Sequence, residues 1–398
     1  MNFSKLYFAL SIIILIVAVS PAQSATIHVP ADQPTIQAGI DAAVVGDTVL
    51  VADGTYTGPG NKNMSFEGKN IVLKSENGPE VTRIVSPSPF TPTRGFVFES
   101  GEDTTAIIDG FTIAGFRGLT SGGAISCISS SPSILNNIIE ENSTVGSGGG
   151  INCTFNSNPR IINNIIAHNS SPSGGGITCI NNSNSIITGN TFIGNSARWG
   201  GAIYCNRSSP MISNNTIVMN SARQGGALFS IDSSPMLDNC IIAFNSDTTG
   251  AVFCPSDSFP VLSCTNVYGN SGGDWVDCIA SQNGQNGNFS SDPLFCDTST
   301  FYFSLRDNSP CAPANNSCGV LIGALDVGCG LICADANGDS MVNVDDVDFL
   351  IDFYFYGGAT PFPYFASDLN CDGSVNIADI TYLAAYINGT GAAPCCVE

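Results

Sequence analysis

The chain has 398 residues with 12 Lys+Arg against 33 Asp+Glu, an acidic balance that excludes a nucleic-acid partner, which needs a basic face to meet phosphates. Only 11% of the residues are charged, so its surface must be solvated by the amides and hydroxyls of Asn and Ser. The length allows two or more domains.

At the N-terminus, Lys5, the apolar run 6–19 and the small-residue site Ala22-Gln23-Ser24 read as a secretory signal peptide over residues 1–24. A membrane anchor is the alternative, but the run is short for a bilayer. No later segment is apolar enough to span. The mature chain is therefore expected to be secreted or on the cell surface, without a membrane span. Sixteen cysteines in such a chain permit disulfides.

Residues 25–115 open with Pro34, Ile36, Ile40 and Val44 at near-helical spacing, with Pro34 placed in the first turn. This predicts a helix that caps the open end of a repetitive structure. Strands begin at "DTVLVADGTY". From 116 to 275 the chain repeats itself. "GGAISC", "GGGINC", "GGGITC" and "GGAIYC" place Cys127, Cys153, Cys179 and Cys205 at intervals of 26 residues. One asparagine recurs at Asn142, Asn169, Asn195, Asn220, Asn245 and Asn270, a second at Asn137, Asn164, Asn190, Asn215 and Asn239.

A fixed period of this length means stacked units. The short β-branched runs between Gly, Ser, Pro and Asn predict strands. Three strands and three turns per repeat fit a mainly β protein, a right-handed parallel β-helix solenoid with an N-terminal capping helix. The regular coils are expected to run unbroken from about residue 45 to about residue 275. Alternation puts Cys205 and Ile203 on the inner face. The four cysteines then read as small core hydrophobes in an inward ladder, with disulfides and a metal site as alternatives. The asparagine columns are expected to hydrogen-bond along the stack.

"VPADQPTIQAGIDAAVVGDTVLVADGTY" resembles the opening of secreted bacterial pectate-lyase-like β-helix proteins. "SSDPLF", "NSPC" and "IGALDVGC" in 276–330 are similar to their closing segment. The resemblance covers residues 25–330 and implies the fold more firmly than any activity.

Residues 331–398 hold ten acids and no Lys or Arg. "DANGDSMVNVDD" from Asp335 and "DLNCDGSVNIAD" from Asp368 match each other 33 residues apart. Each offers oxygens at the offsets of a calcium loop and leads into an apolar helix. The pair resembles a type I dockerin, which implies two calcium ions and a cohesin-type scaffold partner. The ligands carried over are Asp335, Asn337, Asp339, Asn343 and Asp346, then Asp368, Asn370, Asp372, Asn376 and Asp379. Met341 and Ser374 would offer backbone oxygens. Ser340 replaces the glycine that the tight turn prefers. Val344-Asp345 and Ile377-Ala378 stand where many dockerins carry hydroxyl residues, which leaves open a module that docks on its own solenoid.

Catalytic chemistry is harder to find. No column repeats a carboxylate on three coils, as paired-carboxylate hydrolysis would favour. Glu141 and His168 share a column on adjacent coils and are the candidate acid/base pair, with a solvated edge pair as the plainer reading. Arg207 and Asp232 share another and read as a structural ion pair. "SARWGG" and "SARQGG" stack Arg198 on Arg223 and set Trp199 beside Gln224. Arg198, Trp199 and Arg223 suit sugar faces and carboxylates, with turn decoration as the alternative. The whole reads as an exported, dockerin-bearing β-helix that binds polysaccharide or an assembly partner. The competing readings are a polysaccharide lyase or glycoside hydrolase, and a structural or adhesive surface protein.

Overall fold

The computed structural model describes residues 24–88, 92–255, 257–298, 302–329, 333–337, 342–358, 361 and 367–395. The signal peptide lies outside them except for Ser24. Among the described residues no helix is long and apolar enough to cross a membrane.

Short strands pair in parallel with the coil before and the coil after, so every coil finds backbone partners only by stacking. Sheet A has ten strands, from Thr26–Val29 to Val261–Ser263, and sheet B has nine, from Gly54–Tyr56 to Asn266–Tyr268. Sheet C has seven strands, between Phe96–Phe98 and Val252–Phe253. The result is a parallel β-helix of about nine turns. The interior is filled by inward columns such as Ile125, Ile151, Ile177 and Ile203, all fully buried.

Several expectations need correction. The first strand, Thr26–Val29, precedes the helix, so the solenoid starts well before residue 45. Helix α1 spans Ile36–Ala42 and is N-capped by Thr35, with Pro34 outside it. Val44 is also outside and exposed, because the Asp47 carboxylate accepts the N–H groups of Val44 and Ala25 and turns the chain into the next strand. The central coils have four sides, not three. Sheet D adds five strands, including Ser170–Ser173, Ser196–Trp199 and Ser221–Gln224.

Sheet D explains the paired glycines. After each sheet D strand the chain turns into sheet C with its backbone pressed against the sheet D strand of the next coil. A Cβ on Gly175 would lie 2.7 Å from both N and O of Ser196, and one on Gly149 would lie 2.7 Å from Ser170 N. Only glycine fits such an approach. The sheet D strands and the glycine segments that follow them form a lip beside the outer face of sheet C.

The Asn142 column behaves as expected. Each side-chain oxygen accepts the backbone N–H of the asparagine one coil earlier, as Asn169 does from Asn142 at 3.0 Å. The second column holds through Asn215 and then departs from the reading. Register places Cys240, not Asn239, after Asn215, while Asn239 continues the left-handed column Asn136, Asn163 and Asn214. A serine ladder that the repeat did not suggest runs through Ser130, Ser157, Ser183, Ser208 and Ser233, each N–H donating to the next Oγ.

Cys127, Cys153, Cys179 and Cys205 are free, buried and in register. Neighbouring ladder thiols and burial raise the Cys153 thiol well above the ordinary range. By contrast, Cys254–Cys278, Cys264–Cys318, Cys296–Cys329 and Cys371–Cys395 are disulfides. The closing segment carries a hairpin, Phe295–Asp297 with Tyr302–Leu305, that lies over the outer face of sheet B. Phe295, Phe303, Leu305 and Ile322 pack there against Ala167, Ile193, Val218, Ile241 and Ala243. Beyond it, helices α2 (Val344–Ile351) and α3 (Ile377–Ile387) share a separate small core around Leu350, Leu369, Ile380 and Leu383.

Candidate functional site

The lip carries the clearest candidate. Ser196, Ala197 and Trp199 pair in register with Ser221, Ala222 and Gln224, which stacks Arg198 on Arg223. Both arginines are exposed and Trp199 is half-buried. The Arg198 guanidinium lies 4.5 Å from the Trp199 ring centroid. That contact holds the cation by the ring face and leaves its edge N–H donors outward. Among the described residues neither arginine is ion-paired. Beside them a shallow, open depression is lined by Thr144, Ser170, Ser171, Pro172, Ser196 and Ala197. Cationic donors, one aromatic ring and hydroxyls thus share one ridge.

Beside the cysteine ladder, sheet C carries a second column on its outer face. The outer position of sheet C runs Ser126, Asn152, Thr178, Tyr204, Phe229 and Phe253. In the lower coils the lip closes over it and buries Ser126, Asn152 and Thr178. Higher up Tyr204 stacks on Phe229 at 5.4 Å and Phe229 meets Phe253 at 5.7 Å. Tyr204 and Phe229 stack face to face, so each ring covers a face of the other. The signal was legible in "GGAIYC", "GGALFS" and "GAVFC", where the residue before each Cys or Ser turns aromatic.

Glu141 and His168 occupy equivalent left-handed turn positions on adjacent coils, both exposed. The His168 ring leans over Gly194, one coil further on, where a Cβ would lie 2.7 Å from Nδ1. The two residues stand two positions before the sheet D strands Ser143–Thr144 and Ser170–Ser173. Arg207 and Asp232 do form an exposed ion pair, at 3.7 Å.

In the C-terminal loops, Asp339 and Met341 lie outside the described residues. The described parts of the two loops make matching contacts. Asp346 Oδ1 accepts from the amides of Ala336 and Asn337, and Oδ2 from Asn343. Asp379 does the same for Leu369, Asn370 and Asn376. Asn343 and Asn376 cap α2 and α3 in matching capping boxes with these aspartates. In the second loop Asp368 accepts from the amides of Asp372 and Gly373, and Asn370 Nδ2 donates to Asp372. The Ser374 carbonyl accepts from Asn376 Nδ2. Asp335 is buried and Asn337 half-buried. Among the described residues no three His, Cys, Asp or Glu side chains come together as a metal cluster. The donor set itself, all hard oxygens with no Lys or Arg in 331–398, has the chemistry that calcium takes.

Residues 93–254 match the family model described as right handed beta helix region. This part of the chain is a right-handed β-helix. No curated protein matches the sequence. Among solved structures the chain is similar to the crystal structure of pectate lyase Pel9A, at 14% identity and a TM-score of 0.51, covering 77% of this chain and 97% of that one. It is also similar to a pectin methylesterase from carrot, at 11% identity and a TM-score of 0.37, covering 76% of this chain and 94% of that one. At such identity the first likeness speaks for the fold alone.

Proposed function

We propose that this protein is an exported solenoid that binds an anionic polysaccharide along the lip, tethered through a calcium-dependent C-terminal module. The Arg198–Trp199–Arg223 ridge carries the reading. Coil stacking sets the two guanidinium groups about 5 Å apart, suited to successive carboxylates on an extended chain. The name of the β-helix neighbour ties that protein to pectate, and pectate is the first ligand to try. Arg198→Ala with Arg223→Ala should weaken glycan binding by about tenfold or more and flatten its salt dependence. Unchanged affinity in calorimetry would move the site away from the lip.

Export is supported by four disulfides among the described residues, which persist in oxidising compartments. The tether is supported by the two matching loops and capping boxes. Asp335, Asn337, Asp339, Asn343 and Asp346 would hold one calcium ion, and Asp368, Asn370, Asp372, Asn376 and Asp379 the other, with Met341 and Ser374 giving backbone oxygens. A cohesin-type scaffold protein is the partner this implies. Calcium calorimetry on the full chain should give two sites, and Asp335→Ala with Asp368→Ala should abolish them; heat-silent titration of the unsubstituted chain would remove the tether.

A second reading, polysaccharide cleavage, is favoured by one observation: Glu141 and His168 are both exposed at equivalent turn positions on adjacent coils, two residues before the strands Ser143–Thr144 and Ser170–Ser173. Assays for reducing ends and unsaturated products on pectate, with and without calcium, separate it from binding alone. Turnover abolished by Glu141→Gln would establish it.

A further inference from the structure

Sheet A turns a different face to solvent. Its outer column reads Arg160, Ile186, Met211, Met236 and Val261 on successive coils. Ile186 is 37% exposed, Met211 50%, Met236 59% and Val261 51%, with Phe259 beside them at 71%. Four large apolar side chains in consecutive register form a continuous strip, not scattered surface residues. The apolar upper face of sheet B is covered by the chain's own closing hairpin. No described residue covers the strip on sheet A in this way.

We propose that the strip packs against the same strip of a second copy of this chain, forming a weak, reversible dimer. Three features point to that occupant. First, from Ile186 to Val261 the column carries no charge. In the neighbouring column, Thr188, Ser213, Asp238 and Ser263, the sole acid is held by the Ser263 hydroxyl and the Asn239 amide. A charged partner has nothing to grip here, and the strip is a neutral zone on a chain of net charge −21.

Second, the strip is self-complementary. A twofold axis along the strands, between Met211–Ser213 and Met236–Asp238, opposes Met211 to Met236 and Ile186 to Val261. The same rotation sets Asp238 against Ser213 and not against its own copy. Third, the strip with Phe259 offers on the order of 500 Å² per copy, so a dimer buries about the minimum of a specific interface and far less than an obligate one. Methionine side chains adapt well to such a contact.

Sedimentation velocity on the full chain, over a concentration series at low and high sodium chloride, tests this. Association should rise with concentration and with salt, because salt screens two like-charged bodies. Met211→Gln with Met236→Gln should weaken it by about tenfold or more. Ile186→Thr with Val261→Thr, which keeps β-branched strand residues, should do the same. Matching melting curves confirm that each pair folds, and the second pair decides the matter if the first does not. A monomer at every concentration in both salts would overturn the proposal. So would a dimer that neither pair disturbs, since its contact would lie elsewhere, the C-terminal module included.

Discussion

Asn163 and Asn164 are adjacent in sequence and do different work, which makes a sharp test of the ladder. Asn164 is buried. Its Oδ1 accepts from the backbone N–H of Asn137 at 2.9 Å, and its Nδ2 donates to the Ile134 carbonyl at 2.9 Å. Asn164→Ala leaves both backbone groups without these partners inside the coil. Each orphan costs about 1–3 kcal/mol, so the loss should be about 2–6 kcal/mol, before any cavity term. Asn163 is exposed with φ of 56°. Asn163→Gly should change stability by less than about 1 kcal/mol, because glycine accepts that conformation freely. Urea unfolding followed by circular dichroism on the full chain would read both, with midpoints compared directly because a solenoid need not unfold in two states. Equal losses for the two variants, or a loss below about 1 kcal/mol for Asn164→Ala, would refute the ladder as a main source of coil cohesion.

Other expectations are briefer. Gly175→Ala should abolish soluble, cooperative folding, since its Cβ would meet backbone atoms of Ser196 at 2.7 Å; proteolysis of the purified chain would show it. Cys127, Cys153, Cys179, Cys205, Cys240 and Cys311 should be silent to a thiol reagent in the native protein and react once it is denatured without reductant. Burial pushes the Cys240 thiol from 9.0 up to about 12. Its contribution to stability should therefore be complete below pH 9.0 and fade as pH rises toward about 12. Cys240→Ala should make alkaline unfolding less steep, and an unchanged slope would count against this.

Much of this architecture was legible in one dimension. The interval of 26 residues between Cys127, Cys153, Cys179 and Cys205 already implied stacking, an inward thiol ladder and buried asparagines. A coil's period is a property of the chain itself, and residues one period apart must lie over one another. The stacking of Arg198 on Arg223 was visible for the same reason, and the matched loops from Asp335 and Asp368 stood out as a separate repeat at 33 residues.

What the period could not carry was contact between segments far apart or at right angles to the stack. The fourth side appeared only when the backbone at Gly175 was seen against Ser196. The slip from Asn239 to Cys240 was hidden because two adjacent asparagines align equally well until register chooses between inside and outside. Which cysteines bond, and that Phe295 and Phe303 cover sheet B while Met211 and Met236 stay open, depends on where the closing segment folds back. That is decided by burial and distance in three dimensions, and a repeat in sequence constrains neither.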